Sequence, residues 1–138
     1  SALNSQAVDI YAIMPQGAYR YNPGRHELEL VSSGDHRRET GGGQDFVAEV
    51  PVILVLAADH SKYHDASEKM GFDISAMVPS MAAMDTGIVA QNINLVCAGC
   101  GLATITRGMM DHKALRETLR LKDSQHPLLN NAVGYPEE

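Results

Sequence analysis

Cysteine is nearly absent from this chain, with only Cys97 and Cys100, and aromatic residues make up just 5% of it. Two thiols give little support to a disulfide framework, although the sequence by itself leaves one bridge open. Positive charge is also scarce. Eleven Lys and Arg face 17 Asp and Glu, for a net charge of −6, and no basic run exceeds the pair Arg37-Arg38. A phosphate backbone demands a basic footprint, so nucleic acid is not expected as a partner. No apolar run approaches the roughly 20 residues of a membrane span, and no charged-then-apolar leader opens the chain. A soluble, cytoplasmic protein with reduced thiols is the expectation.

What is present is ample for a core. With 138 residues, 44% of them hydrophobic, the chain is expected to form one domain over residues 1–138, since no repeat, low-complexity tract or linker divides it. Val8 to Met14 is a mostly apolar run of strand length that stops at Pro15 and Gly17. Next, Tyr19, Tyr21, Leu28 and Leu30 alternate around Asn22-Pro23-Gly24, the signal of a hairpin. Ser32 to Gln44 is polar and glycine-rich, and Asp45 to Glu49 suits a short helical turn. Pro51 to Asp59 is β-branched and apolar throughout, which predicts a central strand covered on both faces.

From Asp73 to about Ala98, apolar residues recur at helical spacing: Met77, Met81, Met84, Ile88 and Leu95. Pro79 makes the start ambiguous, because proline suits only a first turn. A second row of small residues, Ser80, Ala83, Gly87, Ala90 and Asn94, fits either tight packing within a subunit or helix contact between subunits. A strand at Leu102 to Gly108, a helix at Asp111 to Leu121 capped by Asp111, and a last strand in PLLNNAVGYP complete the pattern.

The C-x-x-C pair is the first candidate for chemistry. A reactive pair sits at a helix N-terminus, where the dipole stabilises thiolate; Cys97 and Cys100 lie at the other end, with Gly99 and Gly101 as C-cap residues. A structural zinc site needs four ligands, and no second pair exists. In DHSKYHD, His60 and His64 are spaced as on a metal-binding helix, but the general base of H-E-x-x-H is missing and the segment reads as a polar loop after a strand. Gly99-x-Gly101-x-x-Thr104 has the wrong order, helix into strand, for a dinucleotide fingerprint. Asp85 reads as a buried or interfacial polar group with a partner.

Three stretches together resemble the nitroreductase family of FMN enzymes. SALNSQAVDIY is similar to that family's P-S-x-x-N-x-Q turn and following strand. MAAMDTGIVAQNINLVCAGCGLATITRG is similar to its central helix and the strand after it, and LLNNAVGYP to its last core strand. GAYRYNPGRHELELV and FVAEVPVILVLAAD resemble the branch that includes SagB-type dehydrogenases. The resemblance implies an α+β fold: a central, mostly antiparallel sheet with flanking helices and a long central helix at a homodimer interface. It implies FMN bound at two interface sites. Ser1, Ala2, Asn4 and Gln6 would line the flavin from one subunit, and Ile105, Thr106, Arg107 and Gly108 would approach it from the other. The backbone near Arg107 and Gly108 would face the reactive flavin nitrogen. NAD(P)H would reduce the flavin, and a nitroaromatic or quinone would reoxidise it in a ping-pong cycle. No acid, base or nucleophile stands out as catalytic, which suits an enzyme whose cofactor carries the hard step. Family members begin with helices bearing an arginine-rich segment for the FMN phosphate. Nothing before Ser1 corresponds to it, so the expectation is either a trimmed or incomplete form, or a protein that binds FMN weakly or not at all. Arg107, Arg37 and Arg38 are the nearby-looking substitutes. The alternatives are a non-catalytic flavin-fold binding module and a thiol or zinc protein.

Overall fold

The computed structural model describes residues 1–137. Six strands form one sheet: β1 (Val8–Met14), β2 (Gly17–Asn22), β3 (Glu27–Ser33), β4 (Val52–Asp59), β5 (Ala103–Arg107) and β6 (Gln125–Gly134). Their order is β3-β2-β1-β4-β6-β5, and all five pairings are antiparallel. The helices are α1 (His60–Met70), α2 (Val78–Gly99) and α3 (His112–Thr118). The α+β architecture inferred from the sequence is therefore the one observed.

Each strand follows from its residues. In the β2–β3 hairpin the Asn22 side-chain oxygen accepts from the Gly24 and Arg25 amides at 3.0 and 3.2 Å, a local turn that asparagine forms readily. β4 sits mid-sheet, as its run of apolar residues predicts, and alternate side chains feed opposite faces. On one face Ile53, Val55 and Ala57 pack with Tyr11, Ile13, Val47, Leu115 and Leu119. On the other, Ala58 joins Ala7 and Ile74, Tyr63 from α1, and Val78, Met81 and Ala82 from α2.

Two helices depart from expectation. DHSKYHD is not a loop but the start of α1. Asp59 caps it, its carboxylate accepting from the Ser61 amide at 3.0 Å and the Ser61 hydroxyl at 2.6 Å. Only Tyr63 and Ser67 are buried in α1, so its apolar face is too thin to show as a period. α2 begins at Val78 rather than Asp73, after a 3-10 turn at Ser75–Met77, with Pro79 in its first turn. α3 stops at Thr118 rather than Leu121. Arg120 takes a left-handed φ of 53° and the Leu121 amide bonds back to the Arg116 carbonyl at 3.0 Å, closing a Schellman turn.

The apolar row read along α2 splits. Met81 is buried, whereas Met84, Ile88, Leu95 and the adjacent Val96 are 60–65% exposed. Of the small-residue row, Ala90 is buried against β6, while Ser80 and Ala83 remain on the surface. The helix ends in a second Schellman turn: the Leu102 amide donates to the Cys97 carbonyl at 2.8 Å and the Gly101 amide to the Ala98 carbonyl at 3.2 Å. Gly101, with φ 73°, is the residue that needs glycine there; Gly99 lies inside the last turn.

Two 3-10 turns, Arg37–Thr40 and Asp45–Glu49, cover the sheet face opposite α2. The His36 ring bonds Glu39 at 2.7 Å through Nδ1 and the Ser33 carbonyl at 2.8 Å through Nε2. Both partners are acceptors, so the imidazolium is favoured, and the Glu39 carboxylate raises the His36 pKa above its ordinary value near 6.5. A raised folded pKa gives stability that is complete below about pH 6.5 and lost as pH rises through the folded value. Against His36→Gln, the wild type should hold an advantage of roughly 1 kcal/mol at pH 5.5 that disappears by pH 9 in urea titrations. An advantage independent of pH would contradict this.

Candidate functional site

A concavity of about 570 Å³ opens where the N-terminal turn meets β1, α1 and α2, and its lining includes Ser1, Asn4, Gln6, Asp85 and Ile88. The turn closes on itself. The Ser1 hydroxyl accepts from the Gln6 amide at 3.0 Å, the Asn4 amide donates to the Ser1 carbonyl at 3.1 Å, and the Gln6 side chain reaches Asn4 Oδ1 at 3.4 Å. Leu3, Asn4 and Gln6 all hold left-handed φ values of 49–55°. Each such residue costs on the order of 1 kcal/mol, and clusters of them mark ligand sites. Ala2 belongs to this turn, but its side chain lies outside the described residues.

The S-x-x-N-x-Q spacing thus brings Ser1, Asn4 and Gln6 to one cleft. Sequence reasoning missed two further cleft residues, Arg20 and Lys62, and read a third, Asp85, as a buried or interfacial polar group with a partner, as the structure has it. Asp85 is 6% exposed and accepts the Tyr63 hydroxyl at 2.7 Å. Burial first, and then the Asp85 carboxylate, push the Tyr63 phenol well above its ordinary pKa, so it stays a donor. Arg20 and Lys62 also line the cleft and share Asp9, at 3.8 and 3.2 Å; Lys62 donates as well to the Gln6 carbonyl at 3.3 Å. A lone arginine in a hairpin and a lysine in the segment read as a loop gave no signal that they would converge.

The second group of predicted residues stands elsewhere. Ile105, Thr106, Arg107 and Gly108 end β5, an edge strand separated from β1 by β4 and β6, a span of three strand spacings or roughly 14 Å. None of the four lines the cleft. Within one chain the two halves of the site do not meet. Ile105 is exposed, and Thr106 accepts from Asn94 and Asn131, each at 3.0 Å. Gly108 is exposed with open space where a side chain would stand.

The Arg107 side chain turns into the protein, 8% exposed. It donates to the Thr40 and Gly41 carbonyls at 2.9 and 2.8 Å, to Asn130 at 2.9 Å, and to Gln44 at 3.0 and 2.6 Å. Its guanidinium stacks on Phe46, 5.4 Å from the ring centroid. It therefore cannot serve a phosphate. Arg37 is tied to Asp35 and the Val50 carbonyl, and Arg38 pairs with Asp45, all on the face away from α2. The three arginines proposed as phosphate substitutes are thus engaged elsewhere, and Arg20 and Lys62 are the cations at the cleft.

Cys97 is buried, Cys100 is exposed, and both are free. His60 stacks against His126, 4.2 Å between centroids, rather than pairing with His64. Among the described residues no cluster of three metal-ligating side chains exists, and no helix is long and apolar enough to cross a membrane.

An antiparallel α+β domain with a strained polar turn beside a cleft and a long, outward-facing apolar helix defines the class. The chain belongs to the nitroreductase family, whose model matches residues 1–135. It is 30% identical over 122 residues to a nitroreductase of Methanocaldococcus jannaschii, covering 86% of this chain and 57% of that protein. It is 29% identical over 103 residues to an NADPH-dependent oxidoreductase of Staphylococcus aureus, covering 70% of this chain and 41% of that protein. A nitroreductase crystal structure from Ralstonia eutropha superposes with a TM-score of 0.81 at 32% identity, over 96% of this chain and 60% of that one. The chain thus spans about half the length of the curated relatives it matches.

Proposed function

We propose that this protein is a homodimeric, FMN-dependent oxidoreductase of the nitroreductase type, passing electrons from NAD(P)H to electron-poor acceptors such as nitroaromatics and quinones. The observation that carries the reading is the strained ring of Ser1, Asn4 and Gln6 at the cleft. Backbone strain persists only where its surroundings enforce it, and it clusters at ligand clamps. Family membership and the oxidoreductases among the relatives support the same reading.

The residues present fit a flavin ring. Ser1, Asn4 and Gln6 offer hydroxyl and amide groups for hydrogen bonds to a heteroaromatic edge, and the open face at Gly108 leaves room for close approach of backbone to a ligand. Bound FMN would supply the hydride chemistry, and the chain would supply position and the exclusion of water. Ser1, Asn4 and Gln6 from one protomer and the Ile105–Gly108 backbone from its partner would hold the ring between them. The bared row Met84, Ile88, Leu95 and Val96 on α2 is the surface such a dimer would cover.

Purified protein should show flavin absorbance that bleaches anaerobically with NADH or NADPH and returns on adding a nitroaromatic. Protein that stays colourless and takes up no added FMN would overturn the proposal in favour of a non-catalytic module.

A further inference from the structure

The geometry points to Arg107 as a positioning residue whose buried charge, left without a carboxylate, favours the reduced over the oxidised state of a flavin held at Gly108. This rests on the FMN-binding reading above.

Buried arginines are ordinarily paired with carboxylates. Arg107 makes five N–H···O contacts, and every acceptor is neutral: two backbone carbonyls, Gln44 and Asn130. Among the described residues no carboxylate lies within ion-pair distance of it. On the neighbouring turns, Glu39 is committed to His36 and Thr118, and Asp45 to Arg38. Burial lowers the Arg107 pKa, yet a guanidinium stays charged in proteins. Two amides therefore stand where glutamate and aspartate of nearly the same shape would have balanced the charge.

That cation is fixed one residue from the exposed Gly108. Asn130 Nδ2 donates to the Met109 carbonyl at 3.2 Å while its oxygen accepts from Arg107, and the Asp111 amide donates to the Glu39 carbonyl at 2.8 Å. Gly42 comes so close that an added Cβ would sit 2.8 Å from Met109 Cβ. The segment after β5 is clamped from below, and the charge cannot move away from its surface. A hydride carries one proton and two electrons from the dihydronicotinamide, which leaves as the nicotinamide cation, and it adds one negative charge to the flavin ring. At a separation of about 10 Å and an effective dielectric near 20, one unit of charge shifts such an equilibrium roughly tenfold.

The test adds the missing carboxylate. In flavin-loaded protein, Gln44→Glu should weaken binding of reduced relative to oxidised FMN about tenfold, a midpoint drop of about 30 mV for a two-electron couple, with thermal stability kept or raised. Gln44→Met removes the acceptor without adding charge. It should lower thermal stability and leave the ratio within about twofold. Should Gln44→Glu fail to fold, Asn130→Asp brings the same charge from β6 and should give the same drop. Flavin that binds with an unmoved ratio in the carboxylate variants, or a Gln44→Met shift as large as theirs, would overturn the role of the charge alone. Wild-type protein that binds no flavin would remove the FMN reading and this inference together.

Discussion

In the proposed FMN-binding homodimer, glutamates at Met84 and Leu95 are expected to give a monomer and to empty the flavin site. The two residues lie eleven apart on α2, about three turns and hence on one face; both are 61% exposed and neither lines the cleft. The 22-residue helix is about 33 Å long, enough to lie along an interface of ordinary size. In a two-fold dimer each substitution occurs twice, so four carboxylates would lose their water with no partner supplied. The dimer dissociation constant should rise by a factor on the order of 1,000, or about 4 kcal/mol. Flavin content should fall in parallel, because half of each site would come from the partner. The subunit itself should stay folded, with an unchanged circular dichroism spectrum, since these side chains are not part of its core. Light scattering and flavin fluorescence together decide the matter: a variant that remains dimeric with full flavin refutes the two-subunit site.

The second large effect is on stability. Arg107→Met removes a guanidinium that satisfies the Thr40 and Gly41 carbonyls, Gln44 and Asn130 at once. The methionine stem fills most of the space but donates nothing. The exposed Gln44 can turn to water, but the Thr40 and Gly41 carbonyls and Asn130 are buried, and each buried acceptor left without a partner costs about 1 kcal/mol or more. A loss of roughly 3–5 kcal/mol in urea denaturation is expected, near the upper end for single substitutions. The loop from Thr40 to Gln44 should also exchange its amide hydrogens faster, since Arg107 ties it to β5 and β6. A loss below about 1 kcal/mol would show that the loop is held by its apolar contacts through Val47 instead.

Much of this architecture could be read from the chain because the relevant signals are local. β4 declares itself through a run of branched apolar residues, and the β2–β3 hairpin through an asparagine whose side chain bonds its own turn. α1 escaped because its buried face consists of one tyrosine and one serine, and its start depends on the Asp59 cap rather than on a period. The site divides in the same way. The N-terminal ring is built from residues within six positions of each other, so the spacing of Ser1, Asn4 and Gln6 carries it. The inward turn of Arg107 depends on Thr40, Gly41, Gln44 and Asn130, acceptors between 23 and 67 positions distant. The convergence of Arg20 and Lys62 on Asp9 likewise joins three separate elements. Neither is written in any local pattern.

The strand order carries a consequence for how the chain reaches this state. β6, the last of these six strands in sequence, lies between β4 and β5. As the chain emerges from the ribosome, β5 has no neighbour to dock on, and β4 keeps one bare edge, until residues Gln125–Gly134 arrive. Closure joins segments about 70 residues apart, so loop entropy makes it slow. Until then both edges are open to foreign strands. Co-translational collapse can assemble the β1–β2–β3 meander early, whereas the β5–β6 pair bearing Arg107 forms only once residues 125–134 have been made.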